Sequence, residues 1–127
     1  MERVTGIGGA FFRAGDPDGL ARWYADHLGI NPMSGESQEP WWQEAGPTVW
    51  APFPADTDYF GRRAQSRMVN FRVNDLDAML DQLRRGGVGV DEEIQAMEGI
   101  GRFGWATDPE GNRFELWEPA PEALKRP

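Results

Sequence analysis

The chain has 127 residues, 39% of them hydrophobic and six of them tryptophan, which suits one compact domain with an aromatic-rich core. Its formal net charge is −8 and no basic stripe stands out, so nucleic acid and anionic membrane are excluded as expected partners. It lacks cysteine, hence disulfides and thiolate chemistry, and shows neither a signal pattern nor an apolar run of membrane-spanning length, so a cytoplasmic protein is expected.

Val4 to Ala14 reads as a strand whose alternation sets Gly9, Phe11 and Arg13 on one face and Ala10, Phe12 and Ala14 on the other. Asp16-Pro17-Asp18 then opens a helix: an N-cap aspartate, a proline at the first helical position and an acid near the positive end. Leu20, Trp23, Tyr24 and Leu28 give that helix an apolar stripe, and Gly29 ends it. The only histidine, His27, falls in the last turn and reads as a solvated charge at the helix C-terminus rather than a ligand or base. Residues 31–40 suggest a short strand and a loop, and Trp41–Ala45 with Thr48–Phe53 suggest a hairpin turned at Gly46-Pro47. The polar stretch 54–66 reads as a linker.

The pattern then starts again. Met68 to Val73 is a strand, Asn74-Asp75 a cap, and Leu76, Met79, Leu80 and Leu83 a helical stripe over 75–85 that ends at Gly86-Gly87. A short strand at Val88–Val90 and a loop lead to the most informative stretch, Gly101 to Pro119. Phe103 and Trp105 alternate with small residues, Phe114 and Leu116 alternate with Arg113, Glu115 and Trp117, and Asp108-Pro109-Glu110-Gly111 has the turn chemistry of a hairpin. Glu115 shares a face with Trp105 and Trp117. Tryptophans are mostly buried, so this carboxylate is the candidate functional group.

The two halves also align. FRAGDPDGLARWYADHLGI (12–30) matches FRVNDLDAMLDQLRRGGV (71–88) with one gap, and TVWAPFP (48–54) matches RFELWEP (113–119). Each half reads β-α-β-β-β and would leave one sheet face bare alone. The expected fold is therefore α+β: two tandem βαβββ modules, 1–53 and 67–119, joined by the linker 54–66 and followed by a tail, 120–127. They are expected to form one curved mixed sheet around a cup, with helices 17–28 and 75–85 on its convex side.

The first strand with Asp16, the Trp23-Tyr24…Leu28-Gly29 helix, FRVNDLDAML and the terminal DPEGNRFELWEP together resemble the vicinal oxygen chelate superfamily, which includes glyoxalases, extradiol dioxygenases and bleomycin-binding proteins. The resemblance covers nearly the whole chain as a single glyoxalase-like domain, and implies a homodimer. Metal enzymes of that superfamily hold their ion at four facing strand positions, which here fall on Gly9, Trp50, Met68 and Glu115. Only Glu115 is a ligand for a hard or borderline ion, so no metal or other cofactor is expected.

Strand parity would instead aim Phe11, Arg13, Trp50, Met68, Asn70, Arg72, Phe103, Trp105 and Trp117 into the cup around Glu115, with Ala10, Phe12, Val69, Phe71, Phe114 and Leu116 facing the helices. Trp50, Asn70 and Arg72 are the donors expected to meet the carboxylate. Such a lining suits an apolar or aromatic small molecule, and a binding protein is the preferred reading. The alternatives are a lyase or isomerase with Glu115 as general base, or a metal enzyme with atypical ligands.

Overall fold

The structure, a computed structural model, describes residues 1–31 and 39–127. The strand and loop expected over residues 31–40 lie almost wholly outside the described residues. The elements in chain order are α1 (Pro17–Leu28), β1 (Asn70–Arg72), α2 (Leu76–Arg85), β2 (Gly89–Val90), β3 (Gln95–Met97), β4 (Gly101–Thr107) and β5 (Arg113–Pro119), with a 3-10 turn at Pro121–Leu124. The class is α+β, as expected, with a mixed five-stranded open sheet.

The β4–β5 hairpin is the centre of that sheet. It closes at the expected turn, where Gly111 takes a φ of 85° and the Gly111 amide donates to the Asp108 carbonyl at 3.0 Å. β1 adds parallel to β5, while β2 and β3 both pair antiparallel with β4, at its two ends. β3 falls in the stretch expected as loop: its three residues are all exposed and leave no alternation to see.

Both helices begin as their caps dictate. Asp16 accepts from the Gly19 amide at 3.1 Å and Asp75 from the Ala78 amide at 3.0 Å. A long-range carboxylate reinforces each start: Glu110 accepts from the Gly15 and Asp16 amides, and Glu118 from the Leu76 amide. Asp108, buried at the hairpin turn, accepts from the Glu110 and Asn112 amides, the Asn112 side chain and, at 2.7 Å, the Tyr24 hydroxyl. The turn thereby fastens α1 to the sheet. Burial pushes the Tyr24 phenol far above the ordinary tyrosine range, and the bond to Asp108 adds to the shift.

The core lies between the helices and one sheet face: Leu76, Leu80 and Leu83 of α2 meet Ala106, Phe114 and Leu116, with Trp23, Tyr24, Leu28 and Phe71 packed around them. Gly104 lets α2 approach closely, since a Cβ there would lie 3.1 Å from a Leu80 methyl. His27 lies in the last turn of α1, as expected, but is not fully open to solvent. It is half-buried, stacks on Trp23 at 4.7 Å between ring centroids, and its Nδ1 lies 3.0 Å from the Trp23 carbonyl oxygen.

In the first half, among the described residues, only α1 is regular structure; 4–14 and 41–53 are not strands. A strand needs another strand's edge, and β1 finds only β5. The alternation in those segments is real, but none of the described strands completes a ladder with it. They leave Val4, Phe11, Trp42 and Trp50 largely exposed.

This packing sets an expectation. Leu80 is 1% exposed and touches both sheet and helix neighbours, so Leu80→Ala is expected to cost about 3 kcal/mol of stability, read as a lower urea midpoint with unchanged slope.

Candidate functional site

On the sheet face away from the helices, register alone assembles a site. Asn70 of β1 is paired with Glu115 of β5, and Glu115 with Trp105 of β4, so the three side chains form one row across three strands. The Asn70 amide donates to Glu115 Oε1 at 2.7 Å, and the Trp105 indole donates to Oε2 at 3.0 Å. The Tyr59 hydroxyl, carried in by the segment 54–66, also donates to Oε2. Glu115 is 8% exposed, and these bonds supply what a buried carboxylate requires. The next row holds Arg72, Trp117 and Phe103. Phe103 and Trp117 stack in parallel at 6.0 Å, and the Trp117 indole donates to the Ile100 carbonyl.

Beside the first row lies a cleft of about 430 Å³, lined by Tyr59, Trp105, Ile94, Arg113, Asp91 and Glu93. Arg113 is held there by several contacts. It pairs with Asp91 at 2.7 Å, lies 5.4 Å over the Trp105 ring and donates to the Tyr59 carbonyl at 3.2 Å.

The structure thus brings Asn70 and Trp105 to Glu115, and sets Phe103 and Trp117 on the same face. Met68 is half-buried ahead of β1. Phe11 and Trp50 are 90% and 85% exposed, and Arg13 is exposed as well. The expected placement of these three around Glu115 fails because their segments are not laddered into the sheet. Of the donors expected for Glu115, only Asn70 serves. Arg72 turns instead to the Glu44 carbonyl at 3.1 Å. Tyr59 is a donor that the sequence does not announce, since its stretch reads as a polar linker. The one signal was the aromatic pair Tyr59-Phe60 inside it.

The four positions at which related enzymes hold a metal do not fit one here. Gly9 and Trp50 are exposed and offer no ligand, and both Glu115 oxygens face N–H or O–H donors rather than further acceptors. Among the described residues there is no group of three or more His, Cys, Asp or Glu arranged to hold an ion, and no helix is long and apolar enough to cross a membrane.

Burial pushes the Tyr59 phenol up to about 12, the bond to Glu115 adding to the shift. Tyr59 therefore remains a donor throughout the neutral range. The folded state keeps this proton above the ordinary value of 10.0, where the unfolded chain has released it. Stability from this group is then complete below pH 10 and is lost as the pH rises towards 12. Urea midpoints measured across that window are expected to fall in the native protein and to fall less steeply in Tyr59→Phe, with Tyr24 sustaining the remainder.

Comparison with known proteins bears on the same architecture. The family model for the Glyoxalase/Bleomycin resistance protein/Dioxygenase superfamily matches residues 6–116. No curated protein matches the chain. Among solved structures, a member of that superfamily from Sphaerobacter thermophilus is similar with a TM-score of 0.55 at 16% identity, over 91% of this chain and 98% of the other. A glyoxalase-related enzyme from Fulvimarina pelagi gives a TM-score of 0.55 at 16% identity, over 91% and 88%. The antibiotic binding protein TnmS3 from Streptomyces sp. CB03234 gives 0.50 at 22% identity, over 84% and 88%. The hairpin, its parallel neighbour β1 and the covering helices are accordingly those of a known fold, and the chain belongs to the glyoxalase/bleomycin resistance protein/dioxygenase superfamily.

Proposed function

We propose that the protein binds an apolar or aromatic small molecule in the cleft beside Glu115, with no divalent metal and without transforming it. The observation that carries this reading is the state of Glu115. Its oxygens accept from Tyr59, Asn70 and Trp105, and neither an indole N–H nor an amide N–H₂ gives up its proton to a carboxylate. A carboxylate so engaged is a fixed anionic anchor in an aromatic wall. The fold shared with an antibiotic binding protein agrees with this at the level of architecture only.

A homodimer is part of the proposal. The exposed apolar side chains of 4–14 and 41–53 would be covered by a second copy, which suits segments with strand patterning and no ladder among the described residues.

One contact favours a second reading. Tyr59 and Glu115 form a direct acid–base pair at the cleft, the minimum equipment for proton transfer to or from a carbonyl compound by a lyase or isomerase.

Native mass spectrometry of protein purified without added metal, combined with Glu115→Gln, separates these. The expected spectrum shows a dimer mass and no stoichiometric Zn²⁺, Mn²⁺ or Fe²⁺. In Glu115→Gln the side-chain amide opposes at least one existing donor, so stability should drop by about 1–3 kcal/mol and affinity for a captured ligand should change modestly. Loss of a turnover with affinity intact would establish the second reading. A metal ion bound in the native protein and absent from Glu115→Gln would overturn both.

A further inference from the structure

The segment 54–66 reaches the sheet through side chains. Gln65 exchanges two hydrogen bonds with the Arg113 backbone, at 2.7 and 2.8 Å, Arg62 donates to the Glu110 carbonyl at 3.1 Å, and Arg113 donates back to the Tyr59 carbonyl. Its own backbone bonds are local turns: Thr57 to Pro54, Gly61 to Asp58 and Gln65 to Arg62. The segment has no strand and no fully buried residue. It is a polar strap laid over the site, with one aromatic ring turned inward.

That ring sits as a ligand would. Tyr59 stands edge-on to Trp105, with centroids 6.2 Å apart and planes at 86°, lines the cleft and delivers its hydroxyl to Glu115 Oε2. Apart from Tyr59, the donors on Glu115 belong to β1 and β4 and are fixed by register, so Tyr59 alone comes from an element with no ladder to the sheet.

We propose that Tyr59 is an internal stand-in for the ligand, and that the site selects planar aromatic molecules carrying a hydroxyl or N–H donor, which displace the Tyr59 phenol from Glu115. This rests on the binding reading above and names its ligand class. A donor on the incoming ring restores both interactions that leave with Tyr59, the edge-on aromatic contact and the charge-assisted hydrogen bond. A ring without a donor would leave one lone pair of a buried carboxylate unmet, and is rejected for that reason.

The test uses 2-naphthol and its methyl ether, 2-methoxynaphthalene, which differ in the donor alone. Calorimetric titration of the native protein is expected to show 2-naphthol binding about tenfold or more tightly than the ether. Tyr59→Phe removes the competing donor and should tighten 2-naphthol binding several-fold. Tyr59→Ala removes the ring as well and should tighten both probes. Thermal melts of both variants check that they are folded, and Glu115→Gln should bring the two probes to within about threefold of each other. Equal binding of both probes to the native protein would overturn the donor selection and leave the binding reading standing. Weaker 2-naphthol binding in both folded Tyr59 variants would make Tyr59 a ligand contact rather than a stand-in and overturn the proposal. Failure of both probes to bind the native protein and every folded variant would overturn the binding reading together with it.

Discussion

A buried carboxylate on the central strand constrains everything around it. Leaving Glu115 unpaired would cost several kcal/mol, so the structure must bring donors to it, and it brings them from β1, β4 and the strap. A slip of β5 by one residue would turn Glu115 to the core face, among Phe114, Leu116 and the leucines of α2, and would strip it of all three donors. The hydrogen bonds and the hydrophobic pattern therefore specify the same register, and each penalises the alternative that the other would also reject.

The hairpin holds a second buried carboxylate at its turn, and the two do different work. Asp108 is surrounded by donors that shape the turn and by the Tyr24 hydroxyl of α1. It builds the frame. Glu115, seven residues along, bonds to Tyr59 and Trp105, two side chains that line the cleft. Sequence placed both in one short motif because the turn aspartate and the mid-strand glutamate are parts of one hairpin, whose two ends anchor a helix and a site.

What was legible in the sequence follows from the range of the interactions involved. Asp16 and Asp75 cap their helices by bonds within one turn, and the Asp-Pro-Glu-Gly turn is closed by neighbours in sequence, so both could be read locally. The parity of β1, β4 and β5 could be read too, and in the observed register Asn70 and Trp105 stand opposite Glu115. The strands expected at 4–14 and 41–53 were a different matter. Their alternation records what they are suited to pair with, while a ladder depends on a partner strand, and none of the described strands pairs with them. Tyr59 was illegible for a related reason. It meets Glu115 across 56 residues of sequence from a stretch whose composition says only that it is polar.

The central claim is that the Trp105 indole is locked onto the Glu115 carboxylate, and hydrogen exchange of that single indole N–H, followed by NMR, tests it most directly. The account predicts a slowly exchanging Trp105 indole proton in the native protein and a clear loss of protection in Glu115→Gln, with the Trp117 indole, which bonds to the Ile100 carbonyl, unchanged. A Trp105 indole proton that exchanges as fast in the native protein as one open to water would contradict it.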